Sequence, residues 1–364
     1  MRAKPKRVRS VLLGLVAALA ISGPARGQDE VSAQPELPYG AVESFIEIHA
    51  FFNELYYQNG IDGMDKGQKG FHASEFYLMF LSRISPQLYF NAELEQQPGL
   101  KPEEFNVRRL EIHWAMARWI EADFGKFYCP VGIERYTHYA PLNRLISRPL
   151  PALYVIPGTW PEVGVRLNGD LELFDNLEVR YEVAVVNGLG GPLRDDRQNS
   201  DNNEELAVAG RIGVTMFKAL TLGASGYQGT YDLKDKFLII IRGLDLSFRY
   251  QGLTVTYEYL DSRMQLPWYK RAFRTGYYAQ ASYRIKAEAI HLVFIEPAVR
   301  FDHMDEARKL WLMSDVPDLD RFSLGLSFSP VPHFQFKAEY QWLWYSYPTL
   351  DKQGNIVLEA VIDV

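Results

Sequence analysis

The sequence has little of what usually stabilises an exported soluble domain. Its 364 residues include a single cysteine, Cys129, so no disulfide can form within the chain. It has no Ser/Gly-rich linker and no change of composition that would mark a domain boundary. After residue 27, no apolar run approaches the roughly twenty residues that a membrane-spanning helix requires. These absences argue against a helical inner-membrane protein and favour one continuous domain.

The chain also lacks an excess of basic residues. Residues 1–27 hold six of the 39 Lys and Arg residues and none of the 45 Asp and Glu residues, which leaves 33 against 45 once they are removed. The remaining chain carries a net charge of about −12. Because a nucleic-acid-binding surface must be basic to contact phosphates, we expect no nucleic-acid partner.

The first 27 residues are typical of an export signal. Five basic residues precede an apolar stretch from Val11 to Ile21, and Ala25-Arg26-Gly27 supplies small residues near a cleavage position. We expect residues 1–27 to be a signal peptide that is removed. Residues 28–40 should then form a flexible periplasmic tail, and residues 41–364 should form the folded domain.

The folded part is dominated by strict alternation of apolar and polar residues. In one segment Leu110, Ile112 and Trp114 share one face, while Glu111 and His113 share the other. About sixteen such segments, each of about nine to twelve residues, follow one another between turn residues. Aromatic residues gather near segment ends, as expected for interfacial girdles. A soluble β protein with these rings in its core is the competing interpretation.

The connections between these segments alternate in length. The long ones are expected at residues 58–70, 96–106, 129–159, 187–205, 261–274 and 303–321, and the short ones at 85–87, 217–219, 251–252 and 330–333. Outer-membrane barrels have short periplasmic turns and longer external loops. Strands can span lipid only when the sheet has no free edge. The sequence therefore predicts an all-β fold, a transmembrane antiparallel β-barrel of about 16 strands with a polar, wet inner face, in the outer membrane of a double-membraned bacterium.

The third long connection, residues 129–159, has neither a helical nor a strand period. It contains Arg135, Arg144 and Arg148 and a single acid, Glu134. We expect it to fold inward as a constriction loop, because a pore selects solutes at its narrowest point. The arginines either set the charge of the pore or brace the loop against carboxylates of the wall. We assign Lys126, just before the loop, to the pore constriction together with these arginines, and a position at an external rim is the alternative.

The wall itself should present charges of both signs to the lumen. Acids such as Glu93, Glu182 and Glu339 alternate along the same face with basic residues. We interpret most of these charges as solvated pairs that hold a wide sheet together, and a ladder that conducts substrate is the alternative. The expected arginines of the lumen wall are Arg109, Arg166, Arg180, Arg211, Arg249, Arg284 and Arg300.

The sequence offers no motif for catalysis or metal binding. The histidines lack a ligand spacing such as His-x-x-x-His, and no Gly-x-Ser-x-Gly or phosphate-binding P-loop occurs. Cys129 beside Pro130 is interpreted as a small apolar filler rather than a nucleophile. We therefore expect no catalytic residue, no metal, no cofactor and no enzymatic activity.

The stretch Phe124-Gly125-Lys126-Phe127-Tyr128-Cys129-Pro130-Val131-Gly132, followed by Glu134-Arg135, resembles the phosphate-selective porin O and P family. Residues 160–169 and 296–302 are similar to further segments of that family. The resemblance implies an outer-membrane porin with an inward-folded third loop, and it implies assembly as a homotrimer. The mixed charge of the wall gives no reason to carry phosphate selectivity over to this chain.

Three functions follow as hypotheses. The first is a porin in contact with outer-membrane lipid that lets small hydrophilic solutes diffuse passively and leans toward anions. The second is a barrel sheath that holds an exported partner such as an electron-transfer protein. The third, an outer-membrane hydrolase, is disfavoured by the missing nucleophile motif.

Overall fold

The architecture is that of a single closed antiparallel sheet. The computed structural model describes residues 46–59, 69–96, 105–191, 203–234, 236–267, 269–306, 318–345 and 353–364. The predicted signal peptide 1–27 and tail 28–40 lie outside the described residues. In the described part, no helix is long and apolar enough to cross a membrane.

Within the described ranges, seventeen strands follow one another in the sheet. The two-residue strand β13 continues β12, since both pair with β14, so the sheet is sixteen strands around. The strands are β1 (Ile46–Tyr57), β2 (Gly70–Ser85), β3 (Leu88–Gln96), β4 (Asn106–Ala117), β5 (Ile120–Tyr128), β6 (Pro161–Phe174), β7 (Leu177–Val186), β8 (Ala207–Met216), β9 (Leu220–Thr230), β10 (Leu238–Tyr250), β11 (Leu253–Leu266), β12 (Tyr269–Tyr283), β13 (Ile285–Lys286), β14 (Phe294–Glu306), β15 (Leu319–Val331), β16 (Phe334–Tyr345) and β17 (Gln353–Asp363).

The sheet closes because its first and last strands pair. Strand β1 pairs antiparallel with β17 from Phe51 opposite Asp363 to Tyr57 opposite Val357. Beyond that register, Ala50 and Val364 exchange backbone hydrogen bonds of 3.0 and 2.9 Å. Closure leaves no row of unpaired backbone groups, which is the condition for a sheet in hydrocarbon. The predicted barrel of about 16 strands is confirmed.

Alternation of apolar and polar residues separates an apolar outer face from a charged inner face. In β4, Leu110, Ile112 and Trp114 are exposed on the outside, whereas Glu111 and His113 are almost completely buried on the inside. Charged residues can be buried on that side only if other parts of the chain fill the lumen. The outer face thus resembles lipid in polarity, as the sequence predicts.

The connections differ in length at the two ends of the barrel. One end, called here the short-turn end, has tight connections at residues 86–87, 118–119, 175–176, 217–219, 251–252 and 332–333. At 251–252, Gln251 and Gly252 both adopt positive φ, which suits a two-residue hairpin. The opposite end, called the long-loop end, contains the connections at 129–160 and 187–206.

One predicted long loop, at residues 261–274, is wrong. Strand β11 continues to Leu266 and β12 begins at Tyr269, so the ladder runs through most of that segment. Asp261 and Arg263 carry charge on the outward face and bind each other at 2.9 Å. The charged stretch looked like a loop because the sequence pattern assumed an apolar outer face, whereas backbone pairing extends past the apolar band. Similarly, β15 begins at Leu319 inside the segment predicted as the 303–321 loop.

The inner face is not wet throughout, which corrects a second expectation. Toward the long-loop end, inward-facing side chains such as Ile241, Leu260 and Met264 join a buried apolar cluster. The cluster also includes Leu150 and Tyr154 of the short helix α1 (Leu150–Tyr154), which belongs to the third long connection. Dry packing therefore fills this half of the lumen, and polar groups line the other half.

Candidate functional site: the loop inside the barrel

The loop of residues 129–160 is irregular because its sequence forbids long regular elements. It contains a single 3-10 turn, Glu134–Tyr136, and the five-residue helix α1. Pro149 has an extended ψ of 132° directly before α1, which has proline in its first turn, where the missing N–H is tolerated. Gly132 and Gly158 adopt φ of 74° and 65°, a region that glycine enters easily.

The loop lies inside the barrel because it contacts strands on every side of the ring. The backbone N–H of Ile133 donates to Glu258 of β11 at 2.8 Å. The Tyr139 hydroxyl donates to Glu93 of β3 at 2.7 Å. The N–H of Leu150 donates to Asp302 of β14 at 3.1 Å. No path outside the barrel could reach all three strands.

A carboxylate holds the middle of the loop. Glu339 of β16 accepts hydrogen bonds from the N–H groups of Ile146 and Ser147, at 2.8 and 2.7 Å. It also accepts one from the Ser147 hydroxyl at 2.5 Å. Charge-assisted bonds to a buried carboxylate are among the strongest in proteins, so this contact fixes the loop to the wall.

Two buried guanidiniums support the same segment from the neighbouring strands. Arg300 donates to the Ser147 carbonyl at 2.9 Å and to its hydroxyl at 2.7 Å. Arg321 donates to the Arg148 carbonyl at 2.5 Å. The Nε atoms of both arginines bind Asp302, at 2.9 and 3.1 Å. Arg300 is on the inner wall as predicted, whereas Arg321 was missed because the sequence pattern placed it in a loop.

The three loop arginines differ in exposure. Arg135 is buried against Glu182 of β7, with its Nη1 2.9 Å from one carboxylate oxygen. Arg148 binds Glu134 inside the loop through two bonds of 2.6 Å and also donates to Thr159 at 2.7 Å.

Arg144 lies 3.2 Å from Glu296 of β14, and 27% of its side chain is exposed. Arg135 and Arg148 therefore brace the loop, and of the three loop arginines Arg144 has the most exposed side chain.

Lys126 does not join these arginines, which corrects its assignment to the constriction. It is in register with Leu110 of β4 on one side and Val163 of β6 on the other. Directly opposed residues share a face of an antiparallel sheet, and Leu110 is on the exposed apolar face. Lys126 therefore lies on the outer surface, near the long-loop end of β5.

The predicted wall arginines lie on the inner side, and most of them pair with acids. The observed ion pairs are Arg109–Glu111, Arg166–Asp123, Arg180–Asp170, Arg211–Asp245, Arg284–Glu296 and Arg300–Asp302. Arg249 is exposed near the short-turn end, and no ion pair to an acid is found for it within the described ranges. The interpretation of the wall charges as pairs that hold the sheet together describes most of this set.

One cluster has the composition of a metal site. Glu111, His113 and Asp123 place a ligand atom each within 4.8 Å of one another. Arg166 occupies the same place, however, with Nη2 2.7 Å from Asp123 and 3.3 Å from Glu111. The Nδ1–H of His113 donates to the Asp123 carboxylate at 2.6 Å. The guanidinium supplies the positive charge that these carboxylates need, so the cluster does not fit a cation.

Burial shifts the pKa of two loop side chains in ways that favour their neutral forms. It lowers the pKa of His138 well below its usual range, and the nearby Arg148 charge lowers it further. The ring of His138 lies among Tyr77, Tyr128 and Tyr139. Burial likewise raises the pKa of the Cys129 thiol well above its usual range. A neutral thiol inside an apolar cluster is a poor nucleophile, in agreement with the interpretation of Cys129 as a filler.

Comparison with solved structures decides the fold. An anion-selective porin from Comamonas acidovorans matches with a TM-score of 0.61 at 10% identity, covering 88% of this chain and 99% of the porin. The chain has the fold of outer-membrane porins. A trimer form of the outer-membrane protein OmpT of Vibrio cholerae matches the porin barrel with a TM-score of 0.57 at 10% identity, covering 88% of this chain and 99% of OmpT.

Similarity to known proteins at the level of sequence is low. A protein of Aquifex aeolicus (strain VF5) described as "Uncharacterized protein" is 24% identical over 375 residues, covering 85% of this chain and 78% of the relative. No family model matches the chain, so the resemblance to the phosphate-selective porin O and P family stays a prediction.

Proposed function

We propose that this protein is an outer-membrane channel for passive diffusion of small hydrophilic solutes, with residues 129–159 as its constriction loop. The observation that supports the proposal most is the position of that loop, which crosses the lumen of a porin-fold barrel and binds the wall around the ring. A pore selects by size and charge at such a crossing, because screening is weakest there.

The channel should be narrow. Apolar packing around α1 fills much of the lumen at the long-loop end, and charged pairs occupy much of the rest. We expect the passage to run beside the loop rather than through an open cylinder. A low single-channel conductance is the corresponding expectation.

We also propose that the channel prefers anions to cations. Arg144, Arg249 and Arg284 are basic groups with partly exposed side chains at the short-turn end, and Glu296 is the one acid that pairs with Arg144 and Arg284 among the described residues. Arg135 and Arg148 are neutralised by their partners and should contribute little to selectivity. The family resemblance points in the same direction, but acids such as Glu93 and Glu258 on the wall give no basis for phosphate selectivity.

A sheath around an exported partner is less consistent with this geometry. Such a partner would need the space that the chain's own loop occupies. An enzymatic role has no comparable support, because the sequence carries no nucleophile motif such as Gly-x-Ser-x-Gly. We propose assembly as a homotrimer from the family resemblance, and the trimer form of the OmpT protein described above is compatible with it.

Conductance in planar bilayers tests the proposal. Insertion of purified protein should give discrete current steps, and a salt gradient should give a reversal potential on the anion-selective side. Replacing Arg144 with Ala should move the reversal potential toward cation selectivity. Replacing Arg180, which is 43% exposed but paired with Asp170 of the neighbouring strand β6, should leave the reversal potential unchanged. A barrel that is folded and inserted but never conducts would contradict the proposal.

A further inference from the structure

Two arginines contact a single buried carboxylate at the short-turn end of the lumen, and the charge of a third arginine acts on one of them. Arg249 extends inward from the end of β10, Arg284 directly follows β12, and Glu296 is on β14. Arg144 approaches from the loop above. We call these four residues the Glu296 cluster.

The carboxylate of the cluster already accepts hydrogen bonds from three side chains. Glu296 accepts hydrogen bonds from Arg284 Nε at 2.7 Å, from the Ser282 hydroxyl at 2.8 Å and from Arg144 Nη1 at 3.4 Å. No other acid among the described residues pairs with Arg144 or Arg284, and Arg249 has no acidic partner there. Three positive charges against one negative charge leave an excess of two.

The excess positive charge affects the pKa of Arg144. Burial lowers the pKa of its guanidinium, and the charges of Arg284 and Arg249 lower it further against the opposing effect of Glu296. Elsewhere in the lumen the balance is different. Arg180, for example, is held by two bonds to the carboxylate of Asp170, of 2.6 and 2.9 Å.

The cluster is also accessible to solvent, and small polar side chains lie beside it. The side chains of Arg284 and Arg144 are 42% and 27% exposed. Leu142, two residues before Arg144, is 53% exposed on the same stretch of loop. The wall between Arg249 and Arg284 carries small hydroxyl side chains that can donate hydrogen bonds, namely Ser247, Thr254, Thr256 and Ser282.

We propose that the Glu296 cluster is a binding site for a small oxyanion that carries two negative charges. Such a ligand would match the excess of two positive charges, and its paired oxygens suit the fork of a guanidinium. The site opens toward the short-turn end. It would therefore hold the anion between the loop and that end of the barrel. The inference deepens the proposed channel function by naming the class of solute that the channel retains.

Isothermal titration of the detergent-purified full chain at low ionic strength tests the site. Disodium succinate and sodium sulfate represent a dicarboxylate and an inorganic dianion, and sodium acetate and sodium chloride are the monovalent comparisons. Both dianions should bind, and each monovalent anion should bind at least about tenfold more weakly. Binding of succinate without sulfate would restrict the ligand to dicarboxylates, and the reverse would restrict it to inorganic oxyanions. No heat with either dianion would overturn the proposal.

Variants locate the binding. Arg284→Gln and Arg249→Gln should each weaken dianion binding at least about tenfold, the size of one lost hydrogen bond to a charged group. Arg180→Gln, with matched exposure and a dedicated acid, should change it less than about twofold. Glu296→Gln should strengthen binding, an effect that misfolding cannot produce. Equal losses in Arg180→Gln and Arg284→Gln would instead mean diffuse attraction by the whole lumen.

The outcomes for the site and for the channel are separable. A protein that conducts in bilayers but binds no dianion would refute the site and leave the channel. A protein that binds dianions and never conducts would refute the channel and leave the site.

Discussion

Glu339 and Ser147 are 192 positions apart in the chain, yet one carboxylate binds both the backbone N–H and the hydroxyl of the serine, at 2.7 and 2.5 Å. The same serine receives two donors from Arg300. This pair fixes the middle of the loop to the wall. It explains how a segment with little regular structure can keep one position inside a barrel.

Replacing Glu339 with Gln should loosen the loop. The amide retains one acceptor oxygen and loses the charge that balances the buried Arg300, so we expect a cost of about 1.5–3 kcal/mol at this contact. Larger and noisier single-channel currents, together with faster tryptic cleavage after Arg144 or Arg148, would reveal the released loop. Glu178→Gln, on the inner face of β7, is the control. Unchanged currents and cleavage in Glu339→Gln would mean that other contacts hold the loop.

Removing Arg148 should affect stability more than selectivity. Its guanidinium makes two bonds of 2.6 Å to Glu134, so Arg148→Ala leaves a buried carboxylate without its partner. Breaking a buried pair in this way typically costs about 3–5 kcal/mol. Thermal unfolding followed by circular dichroism should show a lower Tm, while the reversal potential of surviving channels stays close to that of the wild type. A large shift of reversal potential with an unchanged Tm would assign Arg148 to the pore instead.

Acid should destabilise the loop through His138. Because burial lowers the pKa of His138 in the folded protein, the unfolded chain binds a proton that the folded chain does not. The stability is complete above the unfolded pKa of about 6.5 and falls by about 1.4 kcal/mol per pH unit below it. The arginines near the ring, Arg148, Arg108 and Arg109, all oppose protonation.

The measurement is the Tm between pH 7.5 and pH 5 for the wild type and for His138→Phe. The phenylalanine cannot take up a proton, so its Tm should fall less on acidification. His49→Phe, at an exposed position, should retain the slope of the wild type. Parallel slopes for the wild type and His138→Phe would show that other groups dominate the acid response.

Gly125→Ala should prevent correct assembly of the wall next to the loop. Gly125 of β5 has a φ of 120°, and a Cβ there would collide with the Leu110 carbonyl oxygen of the neighbouring strand. Backbone cannot move away without breaking the β4–β5 ladder. Heat-modifiable migration on gels should be lost in this variant. Gly226→Ala, where the nearest atom would lie at 3.7 Å, should fold normally. A folded Gly125→Ala barrel would show that β5 tolerates another conformation.

Alternation at a period of two was enough to predict the strands, their faces and a closed barrel. That pattern is local, and lipid outside and charge inside translate it directly into a face for each side chain, as in β4 with Leu110 and Glu111. The pattern gave wrong predictions where a residue's position depends on contacts with other strands. Lys126 was assigned to the wrong place because its face follows from the register of β5 against β4, and Arg321 was assigned to a loop although β15 already begins at Leu319.

Local alternation along the chain is sufficient to specify a closed wall that is apolar outside and charged inside, because each residue's face follows from its neighbours in the chain. The side chains that fill the lumen depend instead on contacts between residues far apart in the chain. The partners of the loop, such as Glu182 for Arg135 and Glu339 for Ser147, come from strands 47 and 192 positions away. Which arginines are neutralised and which stay exposed depends on these distant contacts, and no local pattern encodes them.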